Sequence, residues 1–417
     1  MTTLKIKNDT CFRAGLQSLL ACCFALASGT GLMAQEKPAD STMVIVAETL
    51  YTMDGPAIES GMVVVRNGKI VSVGKNVKVP AGATTRKVAV LMPGLVDAYT
   101  NAGVAGGEAE MTSEVTPEMD VLYALDWTSR DFDRAAEAGI TTVHVLPGSD
   151  NVFAGGSCVI KVAGEQSKRI VSEHQGSVLS VCSDPVNGNN SRARPDSIYI
   201  RQPTNRMGVV WIIRSELHNA AGEGREDTSA KSVALKKILG GEPVYTISRT
   251  GYDIETVARL NSELGFKSTI VSGEEAWKSI AVFKETKMPV IYAGMTTGSE
   301  TGTERSNLHW NTPGKLQDAG IVFCLAGGRL LEQARFAVRF GVSEETALNA
   351  ITSTPAKLLG LSNRVGSIRE GMDADFVALD GPPLEFTTSR LWTMVDGQST
   401  EPFNELSSVA TEAETKQ

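Results

Sequence analysis

One pattern constrains the fold of this chain more than any other: a helical run ends at a glycine, and a β-branched run follows at once. Residues 131–138, Gly139 and residues 140–146 form the first instance. Residues 254–264, Gly265 and 267–271 form the second, and residues 315–319, Gly320 and 321–326 the third. Glycine accepts the left-handed conformation that closes a helix. A buried strand directly after it is how a parallel α/β protein returns from its helix layer to its sheet. A further helical pair, residues 330–340 and 344–351, ends this stretch.

Both flanks have a different texture. Met62-Val63-Val64-Val65, the turn Arg66-Asn67-Gly68-Lys69 and Ile70-Val71-Ser72-Val73 predict a tight hairpin, because Asn-Gly supplies the positive φ values such turns require. Strand-like runs return at 375–380 and 391–395. Strand-rich ends around an α/β middle predict an α/β fold class: a (β/α)8 TIM-type barrel over residues 92–361, and a small β-sandwich domain built from residues 41–91 and 362–400. Residues 401–417 form a polar tail.

Composition narrows the function classes. With 42% hydrophobic and 21% charged residues the chain is neither disordered nor a polytopic membrane protein. Its 48 acids against 40 bases give a net charge of −8, which argues against nucleic acid or an anionic membrane as partner. The first 34 residues have the form of an export signal: Lys5, Lys7 and Arg13, a short apolar run from Gly15 to Phe24, then small-residue cleavage sites ending at Ala27 or at Ala34, the second favoured. No stretch there is long enough to span a bilayer. The expected location is periplasmic or extracellular, with lipid anchoring at Cys22 as the minor alternative, since Leu19-Leu20-Ala21-Cys22 resembles a lipobox. Beyond the signal, Cys158, Cys182 and Cys324 are too widely spaced for a disulfide framework or a metal knuckle, so buried free thiols are expected.

Three blocks of sequence now carry a resemblance. Met92-Pro93-Gly94-Leu95-Val96-Asp97-Ala98 resembles the first barrel strand of the amidohydrolase superfamily. Residues 138–149 resemble the second strand of its imidazolonepropionase-like branch. The run from Thr352 to Leu361, on through Gly371-Met372-Asp373-Ala374-Asp375-Phe376 to Val395-Asp396-Gly397, is similar to the C-terminal signature of the same family. The blocks span roughly residues 43–398 in the family's order. The resemblance implies a hydrolase of non-peptide C–N bonds, with a divalent metal such as zinc held at the barrel mouth. In such a site His-x-His on strand 1, histidines on strands 5 and 6 and an aspartate on strand 8 bind the ion, which lowers the pKa of a bound water.

This sequence departs from that pattern at every ligand position. The His-x-His slots hold Tyr99 and Asn101, the strand-5 slot Ile247, the strand-6 slot Ser272 and the strand-8 slot Gly328. Losing even a partner outside the ligand shell costs roughly 10–100-fold in metal affinity or activity, so the expectation is no metal cofactor. The four histidines do not rebuild a site: His144 is expected in the core of strand 2, His174 in a solvated loop, His218 on a helix surface, and His309 near the mouth. Asp97, Lys161 and His309 are the other pocket candidates; a salt-bridged barrel lysine is the plainer state for Lys161, and a helix-start role suits Glu275 as well as a site role. No residue is assigned as catalytic.

The expectation is therefore an exported, degenerate amidohydrolase, a pseudoenzyme that binds a small polar molecule or a catalytically active relative. Association with itself or with that relative is compatible with the sequence. The alternative is an active C–N hydrolase with an atypical site around Asp97, Tyr99, Lys161 and His309.

Overall fold

A computed structural model describes residues 42–187, 202–222, 227–295 and 308–401. The export segment, its cysteines and all but the first residue of the polar tail lie outside the described residues. Both chain ends enter one seven-stranded sheet. Its strands are β1 (Thr42–Leu50), β2 (Ile58–Arg66), β3 (Lys69–Gly74) and β4 (Thr84–Pro93) from the front, and β13 (Phe376–Leu379), β14 (Arg390–Val395) and β15 (Gln398–Ser399) from the back. They lie in the order β15-β14-β13-β4-β1-β2-β3. Asn67 and Gly68, with φ of 51° and 76°, make the tight turn between β2 and β3. Gly371 and Ala374 hydrogen-bond back to Ile70 and Gly68, so the chain curls this sheet around Ile45, Val63, Leu91, Phe376 and Met394.

The middle of the chain forms an eight-stranded sheet in the order β12-β11-β10-β9-β8-β7-β6-β5. These strands are β5 (Leu95–Thr100), β6 (Ile140–Val145), β7 (Phe153–Lys161), β8 (Ile170–Ser180), β9 (Val244–Ser248), β10 (Ser268–Ser272), β11 (Val290–Tyr292) and β12 (Phe323–Leu325). The helices among the described residues are α1 (Arg130–Glu137), α2 (Gln166–Arg169), α3 (Asp184–Asn187), α4 (Arg206–Ala221), α5 (Ala230–Leu239), α6 (Gly251–Leu264), α7 (Ile280–Thr286), α8 (Thr312–Asp318), α9 (Leu330–Arg339), α10 (Glu344–Asn349) and α11 (Ser353–Leu358). Gly139, Gly265 and Gly320 all take positive φ behind their helices, as the repeated pattern requires. Val96, Ala98, Val159, Val178, Ile247 and Cys324 fill the sheet's inner side.

One strand breaks the all-parallel expectation. β7 runs antiparallel to both β6 and β8, whereas every other neighbouring pair in this sheet is parallel. The reason is chain length: β6 ends at Val145 and β7 begins at Phe153. A parallel return needs a crossover of about a dozen residues or more, so this short link can only fold straight back. The reversal places Lys161, the last residue of β7, opposite Thr142 near the start of β6.

Candidate functional site at the barrel mouth

The C-terminal ends of the parallel strands bring polar groups to one end of the sheet, where barrel sites are built. Asp97, the third of the six residues of β5, is almost fully buried. Its carboxylate accepts N–H groups from Gly327 (2.9 Å), Gly328 (2.7 Å) and Tyr99 (3.2 Å). Gly327, Gly328 and Arg329 hold φ of 93°, 77° and 44°, and the two glycine N–H groups converge on one anion. Asp97 thereby clips β5 to the loop after β12, joining the two edges of the sheet. Burial pushes its pKa up to about 6 against the pull of those three N–H groups, so it is ionised at neutral pH.

A second polar group follows β8, β9 and β10. Arg249 Nη1 donates to Asp184 Oδ1 at 2.6 Å, and Ser149 donates to the other oxygen of the same carboxylate. Burial alone would raise the Asp184 pKa; the Arg249 and Ser149 contacts outweigh it and hold the carboxyl below its usual range. Burial works against the Arg249 charge, yet Asp184 and the nearby Glu274 keep it protonated. Glu274 is buried and accepts the Ser272 hydroxyl at 2.9 Å. Ser272 itself holds φ of 82°, a strained value for a residue with a side chain. Sequence reasoning missed Asp184, Arg249 and Glu274. Their signal was a charged residue one to four positions beyond an apolar strand, which is where a barrel displays its site.

The positions assigned by resemblance do not converge as one pocket. Ile247 lies in the apolar interior, and Tyr99 packs partly against the same cluster. Ser272 is engaged with Glu274. Asn101 is exposed and donates to Glu108; with Asp97 and Gly328 it lines a groove of about 590 Å³ that reaches down between α1 and α9. A phenol, an amide, an aliphatic chain, a hydroxyl and a glycine are a poor donor set for zinc, and no trio of His, Cys, Asp or Glu among the described residues is arranged to hold a metal ion.

Lys161 takes the plainer of its two expected states, a salt-bridged barrel lysine, and is corrected as a pocket candidate: it is fully buried at the opposite end of the sheet from the mouth, where the antiparallel course of β7 delivers it. There it pairs with Asp375, Asp373 (3.1 Å) and Asp396 (3.4 Å) of the composite sheet. His309 stacks on Trp277 with ring centroids 4.1 Å apart. Glu275 accepts the Gly251 N–H at 3.0 Å and Lys278 at 2.7 Å, the helix-start role. His144 is buried, hydrogen-bonded to the Ala98 carbonyl and the Ser157 hydroxyl, and burial holds its pKa down to about 3. His174 is also corrected: it belongs to strand β8, between Asp120 (2.7 Å) and Glu242 (3.3 Å), not to a solvated loop. His218 is exposed on α4. Cys158, Cys182 and Cys324 are free and buried.

Comparison with known proteins agrees with this architecture. The amidohydrolase family model matches residues 252–411. The amidohydrolase tasK of Hapsidospora irregularis is 23% identical over 366 residues, covering 74% of this chain and 36% of that protein. The imidazolonepropionase of Thermoplasma volcanium is 27% identical over 138 residues, 33% of this chain and 28% of that one. This chain thus spans about a third of the length of those two relatives. Among solved structures, an amidohydrolase from Thermotoga maritima MSB8 superposes with a TM-score of 0.78 at 27% identity, covering 86% of this chain and 99% of that one. With its α/β barrel sheet, the strand carrying Asp97 and the sheet shared by both chain ends, the chain is similar in fold and in sequence to members of the amidohydrolase superfamily.

Proposed function

We propose that this protein is an amidohydrolase that has given up metal catalysis and works by binding a small polar molecule at the barrel mouth. One observation supports the reading: at the positions that the resemblance assigns to metal ligands stand Tyr99, Asn101, Ile247, Ser272 and Gly328, and four of these, Tyr99, Ile247, Ser272 and Gly328, are already engaged in contacts of the fold itself. What the mouth offers in their place is neutral hydrogen-bonding groups beside the Asp184–Arg249 pair. A thermal-shift screen of small polar metabolites tests this. A ligand that raises the melting temperature of the native chain, and fails with Asn101→Leu, supports the reading; no shift from any compound moves the role to binding an active relative.

The second reading, a working hydrolase of C–N bonds, rests on Asp97, whose pKa near 6 suits a general base close to neutrality. Turnover that survives chelators and is lost in Asp97→Asn would favour it. Export belongs to the same proposal: a mature N-terminus at Gln35 in the extracytoplasmic fraction supports it, and a full-length cytoplasmic chain contradicts it.

A further inference from the structure

Helix α4 is apolar on more sides than its packing uses. Val209, Ile212, Ile213 and Leu217 face the core. Met207, Val210 and Trp211 form a second stripe at helical spacing, and the fold leaves most of it uncovered: Met207 is 77% exposed and Trp211 62%. On the neighbouring helix α6, Tyr252 is 52% exposed. A helix that is apolar around most of its circumference is ordinarily enclosed by protein on each of those sides. Here one side opens into a groove of about 400 Å³ between α4 and α6, lined by Met207, Val210, Trp211 and Leu260 with arginines at its edges.

The charge of this groove has one sign. Among the described residues its lining includes Arg206, Arg214 and Arg259 and no carboxylate, on a chain whose net charge is −8. The acids that pair with two of these arginines sit off the opening. Asp253, bound to Arg206, is 1% exposed at its side chain, and Glu263 holds Arg214 from the margin at 2.6 Å. The Arg206 guanidinium lies 4.3 Å over the Tyr252 ring, which fixes a cation and an aromatic face together at the lip. Arg259 is exposed, and its Nη2 donates to the Thr256 hydroxyl at 3.4 Å. Trp, Met, Tyr and Arg are the residues over-represented in protein interfaces and their hot spots.

We propose that the α4–α6 groove is a docking site for an amphipathic helical segment of another protein, one that presents large apolar side chains flanked by carboxylates. A second copy of this chain fits less well, because a two-fold contact would place arginines against arginines. A membrane fits less well because the apolar residues line a concavity rather than a convex ridge, and a helix laid in a groove is an established mode of recognition.

The test uses the full chain and two designed helical peptides that share Leu at i, i+4 and i+7, one flanked by Glu and the other by Lys. Calorimetric titration should show the Glu peptide binding at least about tenfold more tightly than the Lys peptide, with affinity falling as salt rises. Trp211→Ala should weaken the Glu peptide by about tenfold or more. Arg259→Glu, a surface change, should narrow the difference between the two peptides while leaving the melting temperature in place. The proposal is overturned if neither peptide binds, if both bind equally, or if Trp211→Ala changes nothing. It is also overturned if sedimentation shows a dimer that Met207→Asp dissolves, or if phosphatidylglycerol vesicles capture the chain through Trp211.

Discussion

Replacing Lys161 by Met should destabilise this protein strongly at neutral pH. The ammonium is fully buried between Asp375, Asp373 at 3.1 Å and Asp396 at 3.4 Å, and Asp373 is further held by Lys69 and by Arg364 at 3.2 Å. Met keeps most of the volume and removes the charge, leaving the buried Asp375 facing Asp396 without its cation. Removing one partner of a buried pair costs about 3–5 kcal/mol, because the other charge stays desolvated. With an unfolding entropy of roughly 2 cal/mol/K per residue, a chain of this size should lose about 3–6 °C of melting temperature. The pH dependence carries its own sign. The three aspartates raise the Lys161 pKa against the effect of burial, so the stabilisation is complete below the unfolded lysine value and is lost as pH rises through the folded one. In Lys161→Met the penalty should shrink toward pH 4, where the orphaned carboxylates take up protons. Differential scanning calorimetry at pH 7 and pH 4.5 measures both effects, and the double variant Lys161→Met/Asp375→Asn should recover part of the loss at pH 7. A single variant melting within about 1 °C of the native chain at pH 7, or a loss unchanged at pH 4.5, would refute the reasoning.

Asp97→Ala removes the acceptor of three backbone N–H groups and should cost about 2–4 kcal/mol, with hydrogen exchange rising first at Gly327 and Gly328; unchanged protection there would mean that the clip is dispensable. The Asp120 and Glu242 contacts raise the His174 pKa, so its stabilising contribution is complete below about pH 6.5 and falls away as pH rises through the folded value. His174→Gln should flatten that part of the stability profile, and an unaltered profile would show that the histidine does not titrate between those carboxylates. Asn101→Leu should leave the melting temperature nearly unchanged, because the side chain is exposed, while abolishing any ligand-induced shift at the mouth; a shift that persists would place the ligand elsewhere.

Much of the fold was legible because its signals are local. A helix closed by Gly139, Gly265 or Gly320 before a β-branched run needs only backbone conformation to be read, and Asn67-Gly68 specifies its turn in the same way. The course of β7 was missed although its cause was visible: the link from Val145 to Phe153 is too short for a crossover, and the resemblance to an all-parallel barrel overrode that count. The reversal is also why Lys161, counted among the pocket candidates, lies at the foot of the sheet instead of its mouth. The mouth group of Asp184, Arg249 and Glu274 was not legible as a site because its members come from three strand ends far apart in sequence. The exposed stripe of α4 looks in sequence like any buried helix face, and only the packing shows which side the described residues leave uncovered.

The proposed function holds that the barrel mouth carries groups that do not bind a divalent ion. Its most direct test is the metal content of the protein purified without chelators, measured by inductively coupled plasma mass spectrometry alongside a sample incubated with excess zinc and then desalted. The account predicts zinc, manganese, iron and nickel all far below one equivalent per chain in both samples, with no change in melting temperature on adding zinc. One equivalent of a single metal that survives desalting and stabilises the fold would contradict it, and would return the chain to the metal-dependent hydrolases of its family.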